Sequence, residues 1–216
     1  MSTAEINGGT RRRYESPRRA EQAAQTRAAV LDTARTLFSE RGWAATGMRD
    51  VAGGAAVAVE TVYSIFGSKT NLLLAALDVG VVGDDLPIPL SDRAEFAALG
   101  RGNRAERARA AARLVRGINE RVRGTQQALR EAAAGDAELS KRLRAADERR
   151  RGNIESGARL VAGRRVSNTE RDGLWAVVSV DVYELLVGRS GWSGARYERW
   201  LADTIVRLLR GGKDTT

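Results

Sequence analysis

The stretch TGMRDVAGGAAVAVETVYSIFGSK, residues 46–69, contains two short apolar segments separated by a turn. Apolar residues recur at helical spacing around Val51 in the first segment and around Val62 in the second. Neither segment is long enough to form a stable helix alone, so each must pack against a neighbour. Residues 20–41 can supply that neighbour, because their apolar side chains also repeat at helical spacing and Gly42 follows as a stop. The stretch therefore predicts a three-helix unit of helix-turn-helix type.

The composition excludes several classes of enzyme and metal site. The chain has no Cys and no His among its 216 residues, so it has no Ser-His-Asp or Cys-His catalytic arrangement and none of the usual zinc sites. No apolar run approaches the roughly 18 residues of a membrane-spanning helix, and no apolar segment of signal-peptide type is found at the N-terminus. We therefore expect a cytoplasmic protein with no membrane association, no metal and no cofactor.

The net charge of +9 is concentrated away from the opening stretch. Residues 1–83 contain 10 basic and 8 acidic residues, whereas residues 101–165 contain 18 basic and 8 acidic ones. Arginines spread along long helices are typical of solvated helix surfaces. Charge alone therefore does not identify a nucleic-acid-binding protein here.

Helical spacing of apolar residues dominates the chain, and no convincing alternating strand pattern occurs. We predict an all-α fold in three parts. A disordered basic arm occupies residues 1–19, a helix-turn-helix domain occupies 20–82 with its motif at about 46–66, and a larger helical domain occupies 83–216. Ser68 is placed to cap a linker helix that joins the two domains.

Beyond Pro87 and Pro89, which break the chain, four longer helices are predicted. They are expected to run from Asn103 to about residue 124, from Asp136 to about 162, from a cap at Thr169 to about 186, and from Ser193 to near the C-terminus. The last two of these segments, with the loop between them, carry three of the four tryptophans. The layout is a set of short helices, a connecting helix and a larger helical body.

The segment VLDTARTLFSERGWAATGMRDVAGGAAVAVETVYSIFGSKTNLL, residues 30–73, resembles the N-terminal domain of TetR-type transcriptional regulators. The matching features follow one another in order: Gly42 with an aromatic residue after it, RDVA at 49–52, TVYSIF at 61–66, and SK at 68–69. The resemblance covers about residues 20–82. The segment LLVGRSGWSGARYERWLADTIVRLL, residues 185–209, resembles the closing helices of some members more loosely.

The resemblance implies that the second short helix reads the major groove of DNA. Thr46 and Lys69 would bind phosphates, and Tyr63 would donate its hydroxyl to a phosphate. Thr61 would contact a phosphate or a thymine methyl group. Each residue also has an alternative structural role when it is considered alone. Thr46 can be a helix cap, Tyr63 a half-buried core residue and Lys69 a solvated charge. The full expected set of DNA contacts is Thr46, Gly47, Arg49, Val59, Glu60, Thr61, Tyr63, Ser64 and Lys69.

The exposed positions of the recognition helix are expected to be Val59, Glu60, Thr61 and Ser64. None is Arg, Asn or Gln, so the common bidentate pairs with guanine or adenine are missing. Glu60 can accept a hydrogen bond from a cytosine amino group, and Arg49 on the preceding helix is the best candidate for a guanine or a phosphate. We hypothesise that specificity comes from few base contacts, from DNA shape and from the basic arm in a minor groove.

Three positions depart from the family pattern. Ala56 stands where the turn usually has Gly, Ala58 where a Ser-like cap is usual, and Gly47 where a small hydroxyl residue is usual. A missing cap costs about 1 kcal/mol of local stability. DNA binding is still expected, with weaker affinity or with a dependence on dimer spacing.

A single short recognition helix supplies little affinity, so a symmetric dimer that reads a palindromic operator is expected. The resemblance implies that the body encloses a pocket for a small-molecule effector, which favours a conformation whose recognition helices no longer match the groove. Candidate effector-binding residues are Phe96, Trp175 and Tyr183, and candidate dimer-interface residues are Trp192, Tyr197 and Trp200. For Trp175, an interface and an ordinary core position are equally open. The predicted function is a ligand-responsive regulator of repressor type, and nothing in the residues decides between repression and activation.

A helical enzyme and a helical interaction module are the two alternative classes of protein. A helical enzyme needs a catalytic pair, but Asp84 and Asp85 are adjacent and do not face one another. The sequence GRGNRA at 100–105 follows a helical segment, not the strand that a dinucleotide-binding motif requires. We therefore predict no enzymatic activity. A helical interaction module that has lost DNA binding fits the three departures and stays open as an alternative.

Overall fold

The computed structural model describes residues 17–210 as helices joined by short connections, with no strand in that range. The all-α prediction is confirmed. Four helices form the N-terminal unit, here called the head: α1 Pro17–Arg41, α2 Met48–Gly54, α3 Val59–Phe66 and α4 Lys69–Val82. The remaining helices form the body: α5 Ala94–Ala97, α6 Arg104–Ala133, α7 Ala137–Ala162, α8 Asn168–Val177, α9 Val180–Tyr183 and α10 Gly194–Leu208. Two 3-10 turns, Leu90–Asp92 and Ala98–Gly100, flank α5, and a π-helical segment, Glu184–Arg189, continues α9.

Side-chain caps start several helices where the sequence predicts them. The Ser68 hydroxyl accepts from the amide three residues later at 3.1 Å, and Ser193 does the same at 3.2 Å. Asn103 caps α6 in this way, and Glu106 accepts in return from the Asn103 N–H, which completes a capping box. Each cap satisfies an amide that has no partner inside the first helical turn.

Two predicted helix starts are corrected by the structure. α1 begins at Pro17, so residues 17–19 are helical and do not belong to the predicted arm. Proline is favoured at the first helical position because its φ angle is already helical. The rest of the predicted arm, residues 1–16, lies outside the described residues. Ser167 caps α8 in place of Thr169, since its hydroxyl accepts from the amide three residues later at 3.2 Å.

Two predicted helix ends also differ. α6 continues through Gly124 to Ala133, because Gly124 lies at a close contact between helices and not at a helix end. The predicted single helix from 169 to about 186 is interrupted after Val177, and Ser179 caps the next piece, α9. The apolar spacing continues through both pieces, so the pattern does not reveal the break.

Two apolar cores form, and α6 contributes to both. Phe38 lies in the head core and Tyr197 in the body core. Ala112, in the first half of α6, packs in the body core, whereas Leu129, in its second half, packs in the head core. α7 does the same, since its Leu139 packs in the head core and its Ala158 in the body core, so α6 and α7 together join the two units.

α6 passes very close to α1 and α4. A Cβ atom built on Gly124 would lie 2.4 Å from Ser39 Cβ, and one built on Gly80 would lie 3.0 Å from Val122 Cγ1. Arg121 fixes the same junction, because its Nε donates to the Gly80 carbonyl at 2.8 Å. The head is thus held against the body by backbone approaches that glycine permits.

No single helix among residues 17–210 is long and apolar enough to cross a membrane. α3 and α4 together have the length and composition, but the chain bends by 73° between them. Both helices supply buried residues to the head core, which accounts for their apolar character.

Gly124→Ala tests the junction between the head and the body. We expect it to lower the free energy of unfolding by about 1–3 kcal/mol, because the added methyl group overlaps Ser39 and pushes α1 from α6. Gly152→Ala in α7 is the matched control, since nothing lies within 4 Å of a Cβ atom there. The control should stabilise α7 by about 0.5–1 kcal/mol. Urea unfolding measures both values, and equal effects would contradict the close contact.

Candidate nucleic-acid interface

α3 presents a polar outer face opposite its buried side. Val62 and Phe66 point into the head core. Because successive residues lie about 100° apart around a helix, Glu60 and Ser64 fall on the far side, where both are exposed. Tyr63 lies on one flank and is 51% exposed. The side chains of this outer face are therefore accessible to a partner.

An open depression of about 680 Å³ lies between the start of α2 and α3, and we call it the α2-side depression. Its lining residues are Gly47, Met48, Arg49, Asp50, Val59, Glu60 and Tyr63. Two separate stretches of the chain thus bring five of the predicted DNA-contacting residues onto one surface. An open surface beside a protruding helix suits a large polar partner better than an enclosed small molecule.

The α2-side depression is not basic. Its lining contains one guanidinium, that of Arg49, and two carboxylates, those of Asp50 and Glu60. Asp50 Oδ2 also accepts from the Gly47 N–H at 2.7 Å, which fastens the first turn of α2. The Gly47 amide is therefore already bonded, and a phosphate that approaches it meets a carboxylate. Between residues 17 and 210, no group of three or more Asp, Glu, His or Cys side chains is placed to hold a metal ion.

Thr46 does not reach this surface. Its side chain is 1% exposed, and its hydroxyl lies 2.9 Å from the Gly42 carbonyl and 3.1 Å from the Leu37 carbonyl. The predicted phosphate contact of this side chain is wrong. The hydroxyl instead closes the turn between α1 and α2, because it bonds to carbonyls of Leu37 in the last turns of α1 and of Gly42 just after the helix.

Lys69 is fastened within the head. Its Nζ donates to the Trp43 carbonyl and lies 4.1 Å from the centroid of the Trp43 ring, a cation–π contact. Burial lowers the pKa of Lys69, and the charge of Asp50 opposes that shift. A phosphate contact by Lys69 stays a prediction, and it requires the ammonium group to share its donors between DNA and Trp43.

Trp43 joins the head to the body, a role that the sequence analysis missed. Its ring stacks on Phe38 with the centroids 6.1 Å apart. Its backbone N–H donates to Glu131 Oε2 on α6 at 2.9 Å. The sequence shows an aromatic residue after Gly42, but Glu131 lies 88 residues away. No local pattern could pair them.

The turn between α2 and α3 is strained, as the departures at Ala56 and Ala58 imply. Ala56 has a φ angle of 54°, in the left-handed region that costs a residue with a Cβ atom about 1–2 kcal/mol. Ala58 precedes α3 with no side-chain cap. A backbone bond from the Val57 N–H to the Ala52 carbonyl at 3.0 Å closes the turn nonetheless. This strained turn sets the angle between α2 and α3.

A second depression, of about 560 Å³, lies on the other flank of α3 against the start of α1, and we call it the α1-side depression. Its lining residues are Arg19, Gln22, Ala23, Ala24, Thr26, Arg27, Thr61 and Ile65. Thr61 therefore faces α1 and not the surface that holds Arg49 and Tyr63. The predicted contacts are divided between the two flanks of α3.

The three residues proposed for effector binding have different surroundings. Phe96 and Tyr183 are buried in the body core. Trp175 is partly exposed, and the guanidinium carbons of Arg150 and Arg151 lie 4.8 and 4.5 Å from its ring centroid. None of the three lines either depression on the head, and their contact with an effector stays a prediction.

Tyr197 is a core residue of its own chain. Its side chain is 0% exposed, and its hydroxyl accepts from Asn119 Nδ2 at 3.3 Å. Its predicted place in a dimer interface is wrong, because a side chain enclosed by its own chain cannot face a partner. Trp192 and Trp200 are partly exposed and pack edge to face with centroids 6.1 Å apart. Their place in an interface stays a prediction.

A buried polar cluster lies where α8 ends. Asn119 Nδ2 and Arg150 Nη2 each donate to the Val178 carbonyl at 3.3 Å. Burial lowers the pKa of Arg150 and raises the pKa of Tyr197 to about 12. Within the part of the chain that the structure describes, Arg150 has no carboxylate partner in an ion pair. The residues of the body up to 210 thus do not neutralise this positive charge by direct contact.

Residues 30–76 match the family model of bacterial regulatory proteins of the tetR family. No curated protein matches the chain. The match covers α2 and α3 together with about half of α1 and half of α4, which includes the whole α2-side depression.

Solved structures of similar fold cover most of the chain. A TetR-family protein from Rhodococcus sp. has a TM-score of 0.61 at 18% identity, over 86% of this chain and 99% of that one. A TetR family transcription regulator from Marinobacter aquaeolei VT8 has a TM-score of 0.59 at 18% identity, over 88% and 97%. NalD, the secondary repressor of the MexAB-OprM multidrug efflux pump in Pseudomonas aeruginosa, has a TM-score of 0.55 at 17% identity, over 87% and 97%. Identities this low establish the shared fold alone.

Thr46→Val tests the correction at Thr46. We expect it to lower the free energy of unfolding by about 1–2 kcal/mol, because the carbonyls at the end of α1 lose their donor. The DNA affinity of the folded protein should stay within about twofold of the wild type. Thr61→Val is the control of equal volume change and should keep its stability. A Thr46→Val protein of normal stability that binds DNA about tenfold more weakly would restore the phosphate contact.

Ala56→Gly tests the strain in the turn. We expect it to raise the free energy of unfolding by about 1 kcal/mol, because glycine adopts a positive φ angle without a clash. Ala55→Gly is the matched control, since the neighbouring Ala55 has a φ angle of −87°. The control should lose about 0.5–1 kcal/mol. Thermal unfolding followed by circular dichroism compares them, and the strain is refuted when both substitutions act in the same direction.

Proposed function

Because residues 30–76 match the family model of bacterial regulatory proteins of the tetR family, we propose that the chain is a member of this family and a ligand-responsive, sequence-specific regulator of transcription. In this proposal it acts as a repressor that a small-molecule effector releases from a palindromic operator. The observation that carries the proposal is the outer face of α3, where Glu60, Tyr63 and Ser64 are exposed beside Arg49. A short helix that is fixed on its inner side and polar on its outer side suits the major groove.

Two copies of the chain are part of the proposal. α3 has only 8 residues, so one head reads few base pairs and supplies little affinity. A symmetric dimer would place two copies of α3 on half-sites about one turn of DNA apart, or a multiple of it, which matches a palindrome. The last part of the body has apolar surface that a partner copy can cover. Leu185 is 53% exposed there, and Trp192 and Trp200 are partly exposed.

An effector with an anionic group is the ligand class that the body favours. Arg150 carries a positive charge beside Trp175 and has no ion pair among residues 17–210. A carboxylate or phosphate on a ligand would neutralise that charge. The ligand would act on the head through α6, because α6 contributes to both cores.

Repression, a cytoplasmic location and the lack of catalytic activity complete the proposal. NalD, whose fold is similar, is a repressor in its own organism, and this likeness favours repression over activation here. A regulator that binds chromosomal DNA works in the bacterial cytoplasm. The body and head serve binding in this proposal, with no reaction assigned to them.

A mobility-shift assay with the DNA upstream of the gene tests the proposal. We expect the wild-type protein to retard this DNA and to lose affinity steeply between about 50 and 200 mM salt. Tyr63→Phe removes a hydroxyl from the DNA-facing flank and should weaken binding about tenfold. Leu160→Ala, at an exposed position of α7, is the control and should bind like the wild type.

Each outcome of this assay has a definite meaning. No retardation by the wild type, even at low salt, would contradict DNA binding and favour the interaction module. Equal retardation of the upstream DNA and an unrelated duplex would contradict sequence specificity. Unchanged affinity of Tyr63→Phe would remove its hydroxyl from the interface.

A further inference from the structure

We propose that the first turns of α1 form a phosphate-binding flank of the DNA interface, with Arg19, Gln22 and Thr26 as its contacts. This inference rests on the proposed function, because it requires α3 to lie in a major groove. It goes further by assigning contacts with the phosphate backbone of DNA to α1. The family resemblance assigned such contacts to Thr46, Tyr63 and Lys69.

The α1-side depression lies where a DNA backbone would pass. The outermost residues of α3 are Glu60 and Ser64, and the two depressions lie on either side of that ridge. A major groove is about 12 Å wide and is bordered by one phosphate backbone on each side. A helix that lies in the groove therefore brings each of its flanks towards one backbone. The α1-side depression faces one of these two strands.

The proposed contact residues of α1 are spaced so that they share one face of the helix. Arg19, Gln22 and Thr26 are separated by three and four residues, so they lie on one face of the helix. All three line the depression together with Thr61 of α3. Arg19 and Gln22 are exposed and Thr26 is partly exposed. A guanidinium, an amide and a hydroxyl are all side-chain groups that donate to phosphate oxygens in protein–DNA complexes.

Arg27 is the other cation of this depression, but it is engaged elsewhere. Its Nε donates to Asp85 Oδ2 at 2.6 Å, and its guanidinium carbon lies 4.8 Å from the centroid of the Phe66 ring. Arg27 therefore anchors α1 to the end of α3 and to the loop after α4. Arg19 makes no ion pair with another residue of the range 17–210, so among these residues it is the lining cation available to a phosphate.

The balance of charge favours the α1 side. Among residues 17–210, the lining of the α1-side depression contains two arginines and no acidic residue, whereas that of the α2-side depression contains one arginine and two carboxylates. On the α2 side, the Gly47 amide is bonded to Asp50, and the neighbouring Thr46 hydroxyl is bonded inside the head. The flank that α1 provides therefore suits phosphate contacts better than the α2 side does.

Salt titration of DNA affinity tests this flank. Binding of a fluorescein-labelled duplex from the upstream region, and of an unrelated duplex of equal length, is followed by anisotropy at several salt concentrations. Arg19→Ala should reduce the slope of log affinity against log salt by about 0.9 for each bound protomer. It should weaken binding to both duplexes by the same factor, because phosphate contacts carry no sequence information. Gln22→Ala should weaken binding to both duplexes and leave the slope unchanged.

Arg18→Ala is the matched control. Arg18 is equally exposed in the same turn of α1, but it does not line the depression. If Arg18→Ala and Arg19→Ala change the slope equally, general attraction by the basic end of α1 explains the result and the flank is refuted. An unchanged slope for Arg19→Ala refutes it as well. Failure of the wild type to bind either duplex would overturn the proposed function itself, whereas normal wild-type binding with an inert Arg19 overturns only this inference.

Discussion

The arrangement of the molecule depends on the approach of α6 to α1, where Gly124 leaves room for Ser39. A second glycine contact, between Gly80 and Val122, brings α4 close to α6 as well. Arg121 then bonds the end of α4, and Glu131 bonds the turn after α1. Helices that touch through backbone atoms cannot slide without breaking these bonds, so a displacement of α6 is passed to the head as a whole.

The head combines an apolar core with polar side chains that bond to its own backbone. Thr46 and Lys69 both bond backbone carbonyls around the turn between α1 and α2. Asp50 bonds the amide that opens α2. These bonds hold α2 in place beside α3, and they leave fewer free donors for DNA than the residue types alone suggest.

Much of the fold and part of the interface could be predicted from the residues. Val62 and Phe66 repeat at helical spacing, and Ser68 caps the next helix as expected, because caps and apolar faces are local properties. Local rules failed at Gly124, which reads as a helix stop although it marks a helix crossing. They also failed at Tyr197, since an aromatic residue near the end of a chain fits an interface and a core equally well.

The sequence by itself determined that the chain is all helical, that a helix-turn-helix unit lies near its N-terminus, and that Glu60 and Ser64 face outward. Each of these follows from the period of the helix and from residues a few positions apart. Only the tertiary structure decided that Thr46 is buried, that Thr61 faces α1, and that Arg19 and Gln22 stand beside the recognition helix. Those facts depend on which helices cross and how closely, and side chains that are distant in sequence set the crossing.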